Sequence, residues 1–297
     1  VLIAEGEKIN APLMVKAAAG GGGRGMRLVN DMAELVNAIK LARAEAESAF
    51  GNGELILEKA IVRPRHVEVQ VFADTQGNTI HLGERDCSVQ RRHQKVVEEA
   101  PCPVMTDTLR AEMGAAAVAA AKSIHYRGAG TVEFLLDEKG NFYFLEMNTR
   151  LQVEHPVTEL ITGLDLVALQ LQVAQGEPLG LNQKDITLTG HAIEARLYTE
   201  DPAQNFLPSS GSIDLWSPAS GVGVRIDSGI CTGQEISPFY DPMVAKVIAH
   251  GPTRDIARLR LIEALNATVL FGATHNSDFL VACLEKRCFA EGQATTA

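Results

Sequence analysis

The sequence is poor in aromatic residues and in cysteine. Of 297 residues, 5% are Phe, Trp or Tyr, and the five cysteines include no CxxC pair. An odd number of cysteines without that spacing predicts neither a disulfide framework nor a zinc site, so we expect reduced thiols and a cytoplasmic protein. Long apolar runs are also missing, since the alanine-rich stretch 115–121 is far shorter than the roughly 20 residues of a membrane span. These absences exclude a disulfide-rich secreted protein and a membrane protein.

Basic residues are outnumbered as well. Lys and Arg total 27 against 37 Asp and Glu, which gives a net charge of −10. Because non-specific nucleic-acid binding depends on Lys and Arg neutralising phosphates, this balance excludes a general nucleic-acid surface. The 46% hydrophobic and 22% charged content is that of an ordinary globular protein. At roughly 150 residues per domain, the length suggests about two domains. The chain opens with Val1 and no signal segment, so we expect a fragment of a longer protein.

Hydrophobic periodicity predicts a mixture of helices and strands. The predicted strands are residues 13–17, 26–29, 55–57, 66–72, 79–82 and 95–98, followed by two strands of a hairpin within 131–148. The predicted helices are residues 31–50, 106–124, 163–174, 254–265 and 278–284. Pro64 marks a linker, residues 180–190 form a polar loop that suits a domain boundary, and the region beyond is rich in strands.

The first strand is followed by a glycine-rich loop. Gly20, Gly22 and Gly25 satisfy the spacing GxGxxG. A dinucleotide fingerprint needs a helix directly after the glycines, whereas here the chain returns as a strand, and the Lys-Ser or Lys-Thr of a Walker motif is missing. The remaining interpretation is a glycine hairpin whose backbone N–H groups close over phosphates, with Lys16 and Arg24 as countercharges. A glycine hairpin without a ligand is the alternative.

A carboxylate-bearing hairpin is predicted around Lys139 and Gly140. A two-residue turn there places Glu133 opposite Glu146, with Asn148 on the same face as Glu146. Like charges in facing positions destabilise a hairpin unless a cation lies between them. Since all three side chains offer oxygen, they predict a site for Mg²⁺ or Mn²⁺. The alternative is a solvent-facing acidic pair, and a three-residue turn would shift the register.

The next segment alternates Arg150, Gln152 and Glu154, and Pro156 favours an extended chain just before it. One extended face would then carry a guanidinium, an amide and a carboxylate. Such a face can hold a small anion, and Glu154 is a candidate base for the proton of that anion. A surface ion pair is the alternative. His155 is given no role beyond packing or capping.

A basic cluster lies within residues 84–95, which contain three arginines, a lysine and a histidine in an otherwise acidic chain. By itself such a run is typical of a solvated loop. Beside a phosphate-binding loop and a metal site, we interpret it as part of the same anion-binding pocket.

Three of these segments together resemble biotin carboxylase, a family with the ATP-grasp fold. The resemblance rests on Lys16 with the glycine loop, on residues 84–99 with their RRHQK run, and on residues 146–159, EMNTRLQVEHPVTE. It extends to residues 239–246, FYDPMVAK, and so covers nearly the whole chain. Within the family the sequence is similar to the biotin carboxylase part of acyl-CoA carboxylases of the methylcrotonyl- or geranyl-CoA type.

The resemblance implies an α/β (α+β) chain with an ATP-grasp fold followed by a strand-rich biotin carboxylase C-terminal domain. The lid subdomain is expected at residues 1–60, the catalytic subdomain at 61–189 and the C-terminal domain at 190–297. It also implies that the family's N-terminal domain is absent, which puts turnover by this fragment in doubt. Ala19 stands where relatives usually have Gly, a mild change because the side chain stays small.

The resemblance assigns roles residue by residue. ATP would be bound by Lys16, Gly22, Gly23, Glu58, Lys59, Ile61, His66, Gln90, His93, Glu133 and Glu146. The metal, Mg²⁺ or Mn²⁺, would be held by Glu133, Glu146 and Asn148, and bicarbonate by Lys95, Arg150, Gln152 and Val153. The catalytic residues would be Arg150, Glu154, Lys95 and Arg196, with Glu68 beside Lys95.

The expected activity is ATP-dependent carboxylation of biotin with bicarbonate through carboxyphosphate. The sequence has no Met-Lys-Met biotin-attachment motif, so biotin is expected on a carrier domain or protein. A carboxyltransferase subunit and a second copy of the chain are the other expected partners. Two alternatives stay open: a nucleotide-binding module without turnover, and another ATP-grasp ligase such as half of a carbamoyl phosphate synthetase.

Overall fold

The computed structural model describes residues 2–20 and 25–297. These residues form two compact units, one ending at Pro64 and the other running from Arg65 to Thr296. In the described part of the chain no single helix combines the length and apolar content of a membrane span, although one bent helix pair, His155–Thr162 with Leu166–Ala174, passes on length and composition.

The first unit is a small antiparallel sheet covered by helices. Its elements are α1 (Leu2–Ile9), β1 (Leu13–Ala17), β2 (Arg27–Val29), α2 (Leu35–Phe50) and β3 (Leu55–Lys59), with strand order β2-β1-β3. The buried face of α2 recurs at helical spacing, from Leu35 to Ala46, and packs on Leu13 and Val15 of β1. As predicted, the helix ends at Gly51, whose φ of 68° is the left-handed conformation that glycine adopts without strain. Helix α1 was not predicted.

The second unit is built on one eight-stranded sheet in which every pair of neighbouring strands is antiparallel. The strands of this unit, eight of which form the large sheet, are β4 (Arg65–Ala73), β5 (Thr79–Arg91), β6 (Gln94–Ala100), β7 (Gly128–Leu136), β8 (Phe142–Asn148), β9 (His191–Tyr198), β10 (Glu200–Asp201), β11 (Leu207–Pro208), β12 (Gly211–Ser212), β13 (Leu215–Ser217), β14 (Val224–Ser228), β15 (Glu235–Ile236), β16 (Met243–Gly251) and β17 (Val269–Phe271). Its helices are α3 (Asp107–Ser123), α4 (His155–Thr162), α5 (Leu166–Ala174), α6 (Arg254–Ala267), α7 (Ser277–Glu285) and α8 (Arg287–Ala290). The large sheet has the order β14-β16-β9-β6-β5-β4-β7-β8.

The two faces of this sheet differ in chemistry. Alternate residues of β4, such as Val67 and Val69, pack against Met113 of α3 in an apolar core. The residues between them, including Glu68 and Gln70, are also fully buried, but they lie on the opposite, polar face. The prediction of a half-buried strand for residues 66–72 was therefore wrong: β4 is central, and both of its faces are covered.

Strand β5 is also more buried than its sequence suggests. The predicted strand at 79–82 continues through the polar stretch to Arg91, because its charged side chains have buried partners. The predicted helix at 163–174 begins only at Leu166, where Asp165 caps it by accepting from the backbone N–H of Ala168. The predicted helices 106–124, 254–265 and 278–284 match α3, α6 and α7 to within a few residues.

The β7–β8 hairpin reaches its predicted pairing by a different route. The turn holds three residues between Asp137 and Asn141, not two, and Gly140 has a φ of 83°. Next to the turn the register is therefore shifted by one residue, so that Phe134 faces Phe144. A β-bulge then shifts it back, and Glu133 faces Glu146 as predicted.

The expected three-domain division remains a prediction. The compact units separate after Pro64, near the expected lid boundary. Beyond it, strands from both of the other expected domains share one sheet, since β6 pairs with β9 across residues 97–100 and 192–195.

Candidate active site

The centre of the polar face is Lys95, near the start of β6. Its ammonium donates to Glu68 Oε2 at 2.6 Å, to Glu133 Oε1 at 2.9 Å and to Glu154 Oε1 at 2.9 Å. Burial opposes the charge of Lys95, but the three carboxylates outweigh it and raise the pKa of this lysine. Burial likewise works against ionised Glu68, yet Lys95 and Arg85 lower the pKa of this carboxyl to about 2. The site therefore holds a fixed cation among fixed anions.

Glu133 is held from three sides. His66 Nε2 lies 2.7 Å from Glu133 Oε2, and Asn148 Nδ2 donates to Glu133 Oε1 at 2.9 Å. On its other ring nitrogen, Nδ1, His66 is 3.0 Å from Gln90 Nε2. Despite burial, the hydrogen bond from His66 and the charge of Lys95 lower the pKa of Glu133 to about 2. Glu133 is thus ionised at neutral pH.

Glu154 is fully buried and occupies the N-cap position of α4. The predicted extended chain through residues 150–154 was wrong: a turn at residues 153 and 154 leads directly into the helix, where Pro156 fits the first turn because it has no N–H to lose. Arg196 donates to Glu154 Oε2 at 2.9 Å, opposite the Lys95 contact on Oε1. The carboxylate is therefore held between two cations.

Arg150 and Gln152 still lie side by side. The guanidinium of Arg150 donates to Gln152 Oε1 at 2.8 Å, and Gln152 Nε2 is 3.4 Å from Glu133 Oε1. Arg150 is exposed, whereas Gln152 is buried. The backbone oxygen of Val153 accepts from Lys246 Nζ at 3.0 Å. An exposed guanidinium beside a fixed amide leaves donors free for a small anion.

Of the metal set predicted from the hairpin, the two carboxylates suit a hard divalent cation, whereas Asn148 turns its amide N–H group, not its oxygen, toward them. Glu133 and Glu146 face each other, and Asn148 Nδ2 reaches both carboxylates, at 2.9 and 3.4 Å. Glu146 is exposed, so its oxygens are open to a ligand. Oxygen donors with two negative charges are the set that Mg²⁺ or Mn²⁺ prefers.

The basic cluster is not a solvated loop. It forms the β5–β6 hairpin, in which Arg85 is fully buried and Arg91 donates to Glu200 Oε2 at 2.6 Å. Arg92 pairs with Asn205, and His93 is exposed at the tip with a φ of 68°. Among the basic residues of this cluster, Lys95 contacts Glu68, Glu133 and Glu154, and Arg85 contacts Glu68 from the other side, so only part of the cluster belongs to the pocket.

The other predicted ATP residues lie in the first unit. Lys16, on β1, forms an ion pair with Glu58 on β3, and the ammonium of Lys59 donates to the backbone oxygens of Asn10 and Ala11 at 3.2 Å. Ile61 is partly buried just after β3. Gly22, Gly23 and Arg24 lie outside the described residues.

Sequence reasoning missed the carboxyls behind Arg196. Glu98 Oε1 accepts from Arg196 Nε at 2.5 Å, and Glu98 faces Glu194 across β6 and β9. Both glutamates are fully buried. The available signal was a charged residue at every second position of an apolar strand, Glu194 and Arg196 in the segment HAIEARLY.

Two family models match the chain. Residues 2–182 match the carbamoyl-phosphate synthase L chain, ATP binding domain, and residues 194–297 match the biotin carboxylase C-terminal domain. Among curated relatives, the chain is 51% identical to biotin carboxylase from a Nostoc species, over 97% of this chain and 64% of the relative. It is 50% identical to the methylcrotonoyl-CoA carboxylase subunit alpha of Mus musculus, over 92% of this chain and 38% of that protein.

Two solved biotin carboxylase structures are similar to nearly the whole chain. The biotin carboxylase domain dimer of Hydrogenobacter thermophilus 2-oxoglutarate carboxylase, in complex with MgADP, ADP and bicarbonate, matches with a TM-score of 0.94 and 46% identity, over 99% of this chain and 65% of that one. Biotin carboxylase from Campylobacter jejuni, in a β,γ-ATP complex, matches with a TM-score of 0.94 and 43% identity, over 98% and 65%. The chain thus spans only part of the length of these relatives, 64% of the Nostoc protein and 38% of the Mus musculus protein. Together with the two family models, these relatives show that the chain belongs to the biotin carboxylase family.

Proposed function

We propose that this chain carries the site for ATP-dependent carboxylation of biotin with bicarbonate, the first half-reaction of a biotin-dependent carboxylase. The observation that carries this proposal is the position of Glu154, a buried carboxylate held between Lys95 and Arg196 with the Arg150–Gln152 pair close by in the chain. A base, two cations and a set of anion donors in one place suit an acidic oxyanion substrate.

The first step is deprotonation of bicarbonate. Lys95, Arg150, Gln152 and the backbone of Val153 hold the anion, and Glu154 accepts its O–H proton. An oxygen of the resulting carbonate attacks the γ-phosphorus of ATP, and the bond from that phosphorus to the bridging oxygen of ADP breaks. The products of this step are carboxyphosphate and ADP. Lys95 and Arg196 hold the Glu154 carboxylate in place through their contacts at 2.9 Å.

The second step transfers the carboxyl group. Carboxyphosphate breaks down to carbon dioxide and phosphate, the phosphate takes the proton of the biotin ureido N–H group, and the ureido nitrogen bonds to the carbon of carbon dioxide. Arg150 stabilises the enolate charge on the biotin oxygen, with Arg196 beside it, because a fixed guanidinium favours a developing oxyanion.

We propose ATP-binding roles for residues of the second unit and, taken by themselves, for residues of the first. Glu133, Glu146 and Asn148 would hold Mg²⁺ or Mn²⁺, which when bound neutralises negative charge on the phosphates. His66, Gln90 and His93 are proposed for ribose and phosphates, Lys16, Gly22 and Gly23 for phosphates, and Glu58, Lys59 and Ile61 for the adenine side. The relatives' structures with MgADP and bicarbonate support this assignment.

The second candidate is a nucleotide-binding module without turnover, since residues 2–182 match a family model of an ATP binding domain. Carbamoyl phosphate synthesis is the weaker alternative, because residues 194–297 match the biotin carboxylase C-terminal model.

Partners are proposed by analogy: a biotin carrier, a carboxyltransferase and a second copy of the chain, the last supported by the dimer of a relative. The chain is 50% identical both to a methylcrotonoyl-CoA carboxylase subunit and to a pyruvate carboxylase subunit, so the acyl-CoA type stays a prediction, as does the cytoplasmic location.

The test is ADP formation by the purified chain with Mg-ATP, with and without bicarbonate and free biotin. Bicarbonate-dependent, biotin-stimulated ADP release is the expected result, and Arg150→Ala should abolish biotin carboxylation while ATP binding persists. Arg287→Ala, at an exposed arginine paired with Glu291, is the matched control. Nucleotide binding without ADP release would favour the module, and normal carboxylation by Arg150→Ala would refute the anion site.

A further inference from the structure

Behind the proposed base lies a pair of buried carboxyls with no assigned role. Glu98 of β6 and Glu194 of β9 are direct cross-strand partners, and the side chains of both are 0% exposed. Facing residues on neighbouring antiparallel strands bring their side chains close together. Arg196, two residues along β9 on the same face, donates its Nε to Glu98 Oε1 at 2.5 Å.

The pair has too few partners for two negative charges. Glu98 Oε2 and both oxygens of Glu194 are buried and, among the described residues, have no hydrogen-bond partner. An ionised carboxylate without a partner in such a place costs several kcal/mol, so a proton is retained there instead. Burial and the nearby charge of Glu98 raise the pKa of Glu194 well above its usual range. Burial also raises the pKa of Glu98 to about 7, although Arg196 opposes this rise.

We propose that Glu98 and Glu194 together retain one proton even when Glu98 is ionised, and that ionised Glu98 positions the guanidinium of Arg196 against Glu154. Glu98 is then a positioning residue that acts through Arg196, and Glu194 is its uncharged cross-strand neighbour. Its effect on turnover rests on the proposed function, whereas the shared proton and the orientation of Arg196 do not.

The other charged and titratable groups that face the pair come from five elements. They are Glu154 at the start of α4, Lys95 on β6, Arg196 and Tyr198 on β9, Lys246 on β16 and Cys87 on β5. Burial raises the pKa of the Cys87 thiol and of Tyr198, so both stay neutral near pH 7. Lys95 and Arg196 keep their charges because their carboxylate partners raise their pKa values. Glu98 is therefore the group of this set expected to titrate near pH 7.

The first experiment detects the protonated carboxyl groups of Glu98 and Glu194 directly in the purified chain. Infrared and ¹³C NMR spectra of glutamate-labelled protein are recorded from about pH 6 to about pH 8. We expect a protonated carboxyl that persists at about pH 8 and disappears in Glu194→Gln, together with a second carboxyl that titrates at about 7 and disappears in Glu98→Gln. Glu285→Gln, at an exposed glutamate, is the matched control. Absence of a protonated carboxyl at about pH 8, or its survival in Glu194→Gln, would overturn the proposal.

The second experiment reads the orientation of Arg196. Its Nε–H resonance in ¹⁵N NMR should shift as Glu98 titrates and should lose that titration in Glu98→Gln, while Glu194→Gln, which stays neutral, retains it. In the carboxylation assay Glu98→Gln should lower kcat about tenfold, equivalent to about 1.4 kcal/mol from a lost charge-assisted hydrogen bond, and should lose the inflection near pH 7. The KM for ATP should not change.

Three outcomes separate the explanations. An unchanged Arg196 resonance in a folded Glu98→Gln variant would refute the positioning role. A wild-type chain without carboxylation would refute the proposed function alone, since the spectra still decide the proton pair. If Glu98→Gln fails to fold, as judged by its melting curve, the wild-type titration and Glu194→Gln still test the shared proton.

Discussion

Replacing Arg85 with methionine should strongly destabilise the second unit. Arg85 lies in the middle of the large sheet with 0% of its side chain exposed. Its guanidinium donates to Glu68 Oε1 at 2.6 Å, to Gln70 Oε1 at 2.7 Å, to Thr158 Oγ1 at 2.9 Å and to Thr131 Oγ1 at 3.2 Å. Methionine has a similar length and fills much of the same volume, so the substitution isolates the loss of charge and of donors.

The expected magnitude follows from what is left unpaired. Glu68 keeps the contact with Lys95 at 2.6 Å, so it does not become an isolated charge. Gln70 Oε1 loses its donor, and the two threonine hydroxyls can turn to other acceptors. Losing the charge-assisted hydrogen bond to Glu68 and leaving Gln70 Oε1 unpaired together cost about 3 to 5 kcal/mol. At about 2 to 4 °C per kcal/mol for a unit of this size, the melting temperature should fall by about 6 to 20 °C.

Thermal and urea unfolding followed by circular dichroism measure this change. Arg287→Met is the matched control, because Arg287 pairs with Glu291 on the surface with 88% of its side chain exposed. An exposed pair of this kind contributes less than about 1 kcal/mol. If Arg85→Met and Arg287→Met lowered the free energy of unfolding by the same small amount, the buried network would not be what fixes Glu68 and Lys95.

Three further predictions concern acid stability, metal binding and the hairpin turn. Because the pKa of Glu68 is lowered from 4.5 to about 2 on folding, its ionisation stabilises the fold by about 3 kcal/mol above pH 4.5, and this is lost as the pH falls toward 2. Urea unfolding at about pH 6 and pH 3 should show a smaller loss in Glu68→Gln, and equal losses would contradict the assignment. Glu146→Gln should weaken the Mg²⁺ dependence of ATP binding roughly tenfold, as measured by calorimetry. The melting temperature should not change, because Glu146 is exposed. Unchanged Mg²⁺ dependence would remove Glu146 from the metal set. Gly140→Ala should cost about 1 kcal/mol, because its φ of 83° is left-handed and nothing lies within 4 Å to clash, whereas Gly221→Ala, without a positive φ, should cost less; equal costs in melting experiments would show that the turn is not constrained.

Much of the fold could be predicted from the sequence because its signals are local. The helices α2, α3, α6 and α7 follow from apolar spacing and from caps such as Thr106, which accepts from the backbone N–H of Leu109. Burial was harder. Residues 84–91 look like a solvated loop when read alone, and only the partners supplied by other strands, such as Glu200 for Arg91, make them a buried strand.

The hairpin shows how a correct pairing can come from an incorrect premise. The chain makes a three-residue turn, and a bulge between the turn and Glu133 restores the facing of Glu133 and Glu146. Residue spacing alone cannot show where a bulge lies, because an extra residue in one strand leaves the alternation on both sides intact. The convergence of Asn148 with these two carboxylates is therefore a property of the folded hairpin.

By itself the sequence determined the chemistry: oxygen ligands on one hairpin, a guanidinium and an amide beside a candidate base, and a family resemblance carried by contiguous motifs. Tertiary structure decided how that chemistry is held. Lys95 touches three carboxylates from three different elements, and Glu154 is buried between Lys95 and Arg196. Glu98 and Glu194 are brought together, with buried carboxyl oxygens that lack partners among the described residues, only where β6 meets β9. The physical reason is that pKa values and ion pairs depend on burial and on distances between residues far apart in the chain, neither of which is written in local sequence.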